Sequence, residues 1–238
     1  MNYTHYMKIH RFLLAPSDLV NSNDLFEVVE PKTVHQMVHV LRLEEGEKVE
    51  VFGNTKAALY SIKTVTNSKK DPKVFLKYES DISLRTPTKH IGVAFGISKR
   101  DAAEWIVQKC TELGVSDFYP LITNRTEKKN VQEERLQVII KEAVEQSGWH
   151  TMPNLHPVQA FDEFAEDVKG NIWLLDSAGT ETVEKGADGV TLVVGPEGGF
   201  TEREVQMAKE VGWGVKKLGN STLRTETAAV SAAAVLLL

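Results

Sequence analysis

Two segments of the 238-residue chain carry residue types that could do chemistry. The first is Gly195-Pro196-Glu197-Gly198-Gly199-Phe200, which follows an apolar run and leads into a T-x-x-E capping box at Thr201 and Glu204. A Gly-rich turn between a buried strand and a capped helix exposes backbone N–H groups with few side chains in the way, which suits a close-fitting small molecule. An ordinary turn, in which the glycines serve only backbone geometry, is the competing reading. The Walker Lys-Ser/Thr and the G-x-G-x-x-G spacing are both missing, which disfavours a nucleoside triphosphate and a dinucleotide. The second segment is Leu218-Gly219-Asn220-Ser221-Thr222-Leu223-Arg224-Thr225-Glu226-Thr227-Ala228, which puts Arg224 and Glu226 just before a helix of small residues. Here the alternative is a helix cap at Thr225 or Thr227, with the two charges paired or facing water.

Other chemistries find little support. His35 and His39 stand at i, i+4 on one helical face, but no carboxylate cluster and no H-E-x-x-H arrangement accompanies them, so no metal site is expected. No G-x-S-x-G elbow marks a serine nucleophile. Cys110 is the single cysteine and falls on the buried side of a helix, which excludes an internal disulfide and a multi-thiolate zinc site and favours a reducing compartment.

The elements that must position the two segments show as a change of pattern along the chain. Short β-like runs over 9–14, 48–52, 57–66 and 73–79 are separated by Glu45-Gly46-Glu47, Gly53-Asn54 and Ser68-Lys69-Lys70-Asp71-Pro72, the spacing of a small antiparallel barrel or sandwich. Between them, 32–43 has Val34, Val38 and Leu41 at helical spacing. After the polar stretch 80–90, strands alternate with helices, which points to a parallel sheet and a domain boundary. The expected strands are 91–97, 117–122, 172–176, 191–195 and 215–218. Helices are expected from a Ser98 cap to the Gly114 stop, over 132–147, after Thr201, and at the alanine-rich end.

Composition agrees with a folded protein. With 42% hydrophobic and 26% charged residues, the chain is neither disordered nor fibrous. No apolar run approaches the ~18 residues of a membrane span and no signal peptide is recognisable, so a cytoplasmic protein without membrane association is expected. The net charge of −5 argues against a nonspecific nucleic-acid coat but leaves room for a local basic face. Through Asp81 basic and acidic residues balance at 11 each, so the acidity lies in the remainder, with 17 against 22.

The two segments together resemble the RsmE-type methyltransferases, which modify N3 of a uridine in small-subunit (16S) ribosomal RNA. Arg11-Phe12, Val40-Leu41-Arg42 before Gly46, Gln108-Lys109-Cys110-Thr111-Glu112-Leu113-Gly114-Val115 and Glu145-Gln146-Ser147 extend the resemblance over the whole chain. It implies a PUA-like RNA-binding β-barrel over 1–80, with 1–6 an extension ahead of an initiator-like Met7. A SPOUT α/β domain with a C-terminal trefoil knot would follow over 81–238, and the protein would work as a homodimer. The implied donor is S-adenosylmethionine, held by Gly195, Pro196, Glu197, Gly198, Gly199, Leu218, Gly219 and Leu223, with Leu175 on a preceding strand end, and no metal. Arg224 would stabilise charge on the target base, and Glu226 would orient it or take the proton. Arg11, Arg42, Lys99 and Arg125 would contact RNA, either free or in the assembled small subunit.

Two departures from the family pattern fall where RNA contacts are plausible. Arg100, Asp101 and Ala102 follow Lys99 in place of glycine, an acid and a basic residue, and Gly148-Trp149-His150 replaces the usual arginine after Glu-Gln-Ser. A related SPOUT enzyme acting on another base or a ribose 2′-hydroxyl, and a noncatalytic RNA-binding assembly protein, are the alternatives.

Overall fold

The computed structural model describes residues 9–22, 24–53, 55–66, 71–97, 100–126 and 131–238. The Ser98 cap, Lys99, the 1–6 extension with Met7, and parts of the 53–54 and 68–72 turns lie outside the described residues. The chain divides into two compact units, one of residues up to Arg85 together with Gly148–Thr151, the other of Thr86–Ser147 and Met152–Leu238.

In the first unit the strands are β1 (His10–Leu13), β2 (Leu19–Ser22), β3 (Leu25–Val28), β4 (Lys48–Phe52), β5 (Ala57–Thr66) and β6 (Lys73–Ile82). They form one six-stranded sheet in the order β1-β4-β5-β6-β3-β2. It is mixed rather than antiparallel throughout, because β1 lies parallel to β4 after a crossover through β2, β3 and helix α1 (Pro31–His35). Glu30 starts α1 by accepting from the N–H groups of Lys32 and Thr33, and Pro31 fits the first turn. A π-helical turn over Gln36–Val40 carries the helix on. The core gathers Phe12, Val28, Met37, Val49, Ile62, Val74 and Leu76.

A polar cluster is buried in this unit. Glu50 and His150 are 4% and 1% exposed, and the His150 ring meets the Glu50 carboxylate. Arg85 pairs with the same carboxylate and donates from Nε to the Gly148 carbonyl at 2.7 Å; its backbone N–H donates to His150 Nδ1 at 2.9 Å and its carbonyl accepts from the His150 N–H at 2.8 Å.

The second unit contains β7 (Ile91–Gly96), α2 (Arg100–Leu113), β8 (Asp117–Ile122), α3 (Glu133–Ser147), β9 (Asn154–Leu155), β10 (Gln159–Ala160), α4 (Phe161–Asp167), β11 (Asn171–Leu175), β12 (Glu181–Thr182), β13 (Val190–Val194), α5 (Glu202–Glu210), β14 (Gly214–Lys217) and α6 (Thr225–Leu237). Every strand pair is parallel, in the order β10-β8-β7-β13-β11-β14-β12, with β9 also on β8. Parallel strands covered by helices are buried on both faces, which is why Ile91–Gly96 reads as an unbroken apolar run with every residue buried. Because β13 inserts between β7 and β11, the chain order breaks in mid-sheet and opens a crevice at the strands' carboxyl ends, where ligands of open α/β sheets bind.

Candidate active site

The loops after β11, β13 and β14 enclose a cleft of about 580 Å³ at those carboxyl ends, within the size range of small-molecule sites. Leu175, Gly195, Pro196, Glu197, Gly199, Leu218, Gly219, Leu223 and Arg224 line it. Of the expected residues, Gly198 and Glu226 do not.

Local sequence explains the shape of the loop after β13. Gly199 donates its N–H to the Pro196 carbonyl at 2.8 Å, closing a turn, and then takes φ +68°, a conformation that side chains other than glycine rarely adopt. Phe200 drops into an apolar cluster, its ring 5.5 Å from that of Phe161, which in turn meets Trp213 at 5.7 Å. Burying such a ring stabilises the loop's exit by about 1.5–3 kcal/mol. Thr201 then caps α5 as its spacing predicts. The Glu204 carboxylate accepts from the Thr201 N–H at 2.7 Å and its hydroxyl at 2.8 Å, while the Thr201 hydroxyl oxygen accepts from the Glu204 N–H.

The loop after β14 meets its counterpart through one buried bond. Thr225 donates its hydroxyl proton to the Gly195 carbonyl at 2.9 Å. Thr225 therefore does not cap α6; the cap position is Arg224, in extended conformation and with no side-chain cap bond. The Arg224 guanidinium is exposed at the cleft, and neither it nor Glu226 makes an ion pair among the described residues. The structure thus supplies no bond by which Glu226 would orient Arg224.

Sequence reasoning missed Asp176, Ser177 and Lys217, which also line the cleft, and gave no task to Asn220, Ser221 and Thr222 of the second segment, which line it too. Asp176 was findable as the polar residue directly after an apolar strand; its carboxylate accepts from the Ala178 N–H at 2.8 Å. Behind the cleft, Lys216 is bonded to Glu181 at 2.8 Å and Glu184 at 3.3 Å, with Trp173 beneath its ammonium. The Glu181 bond holds the Lys216 pKa above its ordinary value against the opposing effect of burial. Burial also pushes the Cys110 thiol far up, so it is no nucleophile.

The basic residues expected to contact RNA have varied surroundings. Arg11 lies 3.5 Å from Glu50 with its guanidinium over Gly148. Arg42, at φ +55°, lines a second cleft in the first unit with His39, Glu44, Glu45 and Thr64. Arg125 bonds the loop after β13, donating to the Gly198 and Phe200 carbonyls. The His35 and His39 rings meet at a tilt of 57° with centroids 5.0 Å apart, and among the described residues no set of His, Cys, Asp and Glu is placed to hold a metal. No helix of the described residues is long and apolar enough to cross a membrane.

Known proteins share this arrangement. Residues 85–237 match the family described as RNA methyltransferase domain. The chain is 32% identical over 219 residues to ribosomal RNA small subunit methyltransferase E of Bacillus subtilis, covering 82% of this chain and 83% of that protein. An S-adenosylmethionine-bound structure from Legionella pneumophila superposes with a TM-score of 0.83 at 30% identity, covering 96% of both chains. Ribosomal RNA small subunit methyltransferase E of Neisseria gonorrhoeae, also bound to S-adenosylmethionine, superposes at 0.80 with 26% identity over 95% of each.

Proposed function

We infer the chemistry from membership: the chain belongs to the RsmE family of small-subunit ribosomal RNA methyltransferases and methylates 16S ribosomal RNA from S-adenosylmethionine, and its target atom is N3 of a uridine. The observation that carries the assignment of roles is the cleft lined by two glycine-containing loops, joined by the bond from Thr225 to Gly195, together with Arg224.

The residues present fit the donor. Gly199 and Gly219 line the cleft at φ +68° and +150°, and each leaves open the space a Cβ would fill. Leu175, Leu218 and Leu223 offer apolar walls to an adenine, and Asp176 and Glu197 place carboxylates where a cationic ligand is to be held. Bound there, S-adenosylmethionine supplies a methyl group already activated on a sulfonium. The protein's part is to align a nitrogen for in-line attack and to manage its proton.

A neutral uridine carries hydrogen on N3, and its loss spreads negative charge onto the flanking carbonyl oxygens. Arg224, exposed at the cleft and without an internal ion pair among the described residues, has its guanidinium free to meet that charge. Glu226 does not line the cleft itself but stands on the first turn of α6 between Thr225 and Ala228, which do, and we assign it the proton. Arg11, Arg42 and Lys99 contribute phosphate contacts. From the same family membership we assign the protein a homodimer and a trefoil knot in its C-terminal segment.

Transfer of labelled methyl groups to undermodified small subunits and to free RNA, with mass-spectrometric mapping of the product, tests the reading. The methyl is expected on a uridine N3. A methyl on a ribose or another base would overturn that target, and no transfer to either RNA form would overturn the activity. Arg224→Ala should lower turnover by at least ~10²-fold while calorimetry still detects donor binding. Near-normal turnover would remove Arg224 from the mechanism.

A further inference from the structure

We propose that Arg125 is a positioning residue that holds the 198–201 backbone in its donor-binding shape, setting affinity for S-adenosylmethionine. The inference rests on the donor reading above and assigns to Arg125 a task different from the RNA contact that its residue type suggested.

Arg125 stands in a turn after β8 that is closed on itself. The Thr126 hydroxyl accepts from the Thr123 N–H at 2.9 Å, the Thr126 N–H reaches the Thr123 carbonyl at 3.1 Å, and both threonines are buried. From this base Arg125 Nη1 donates to the carbonyls of Gly198 at 2.7 Å and Phe200 at 3.1 Å. One residue earlier, the Asn124 N–H donates to the Glu204 carboxylate at 2.8 Å, and that carboxylate is 1% exposed and also holds Thr201. The turn thus grips the loop at two adjacent points.

Accounting for the peptide groups shows what the grip fixes. The peptide between Gly198 and Gly199 has its carbonyl on Arg125 and its N–H on the Pro196 carbonyl. The peptide between Phe200 and Thr201 has its carbonyl on Arg125 and its N–H on Glu204. Both planes are fixed at each end, while the N–H of Phe200, a cleft-lining residue between them, takes no partner among the described residues. Gly198 is shaped to the same contact, since a Cβ there would stand 3.2 Å from Arg125 Cβ and 3.3 Å from Cδ. Both bonds leave the one nitrogen Nη1, whose two N–H groups are held in the guanidinium plane, whereas a lysine ammonium is a freely rotating, strongly hydrated point charge on a more flexible stem.

Without the grip, the loop samples other shapes, and apparent donor affinity falls by the fraction of molecules still competent to bind. A competent fraction of about one tenth raises the dissociation constant about tenfold. Arg125→Ala and the charge-conserving Arg125→Lys are both expected to raise the calorimetric dissociation constant for S-adenosylmethionine about tenfold or more, and to raise its KM while kcat at saturating donor stays within about threefold. RNA affinity without donor, and its salt dependence, should match wild type. Should Arg125→Ala fail to fold by circular dichroism, Arg125→Lys and Gly198→Ala carry the test, the latter by pressing on the arginine stem. Unchanged donor binding with weaker RNA binding and a shallower salt slope would overturn the proposal in favour of a phosphate contact. Full donor affinity in Arg125→Ala would overturn the proposal, and full affinity in Arg125→Lys would overturn the requirement for a guanidinium in it. Wild-type protein that bound no donor would remove the reading beneath it, an outcome separable from any effect of the variants.

Discussion

Thr225 joins two segments that are separated by 30 residues in sequence, through one hydroxyl proton given to the Gly195 carbonyl. Thr225→Val keeps the shape and removes the donor, leaving a buried acceptor unpaired at a cost of about 1–3 kcal/mol. We expect Thr225→Val to lower the thermal midpoint by several degrees and to weaken donor binding, measured by calorimetry; an unchanged midpoint would show that the loops are held together by other means. The residue types at the cleft were legible because glycines, an arginine and a strand-to-helix junction announce themselves in sequence. The task of each was less so. Thr225 read equally well as a cap, and Arg125 as an RNA contact, because a bond to a carbonyl many residues away leaves no local trace.

At the scale of elements, period and punctuation carried most of the information. The runs at 48–52, 57–66 and 117–122 coincide with β4, β5 and β8, and the capping box marks the start of α5. The β2–β3 hairpin escaped because its strands have four residues each, too few for alternation to show, and turn near Asp24 at φ +66°. The bridges β9, β10 and β12 have two residues and no period. Helix α4 did carry a signal in Phe161, Phe164 and Ala165, at i, i+3, i+4 spacing. The end of β7 packs so closely on the loop after β13 that a Cβ at Gly96 would stand 2.5 Å from Pro196 Cδ and 2.6 Å from its nitrogen. Gly96→Ala must push strand and loop apart. Overpacking of this kind costs about 1–3 kcal/mol, and hydrogen exchange should locate the loss in β7 and β13; unaltered protection there would show that the loop yields without cost.

At the scale of the whole chain, the change from short strands to alternating strands and helices was visible near residues 80–90, but the return of Gly148–Thr151 to the first unit was not. His150 and Glu50 are 100 residues apart and buried together, a pairing that no periodicity could disclose. The Gly148-Trp149-His150 stretch that departs from the family pattern thereby acquires an internal purpose: Gly148, at φ +86°, lies under the Arg11 guanidinium, and His150 is a partner of Glu50. A fragment ending at Arg85 keeps Arg11 and Arg85 but lacks the His150 bond to the buried carboxylate, a loss of about 1.5–3 kcal/mol for a hydrogen bond to a charged group. Such a fragment should give poorly dispersed amide resonances at neutral pH. Well-dispersed spectra from residues 9–85 alone would show that His150 is dispensable to the unit.

The same out-of-sequence return limits how this chain could be shuffled among its relatives. A recombination event that exchanged the stretch before residue 86 as a continuous cassette would import a foreign Glu50 environment and leave the resident His150 matched to nothing. Viable chimaeras therefore have to transplant two separate pieces of gene together.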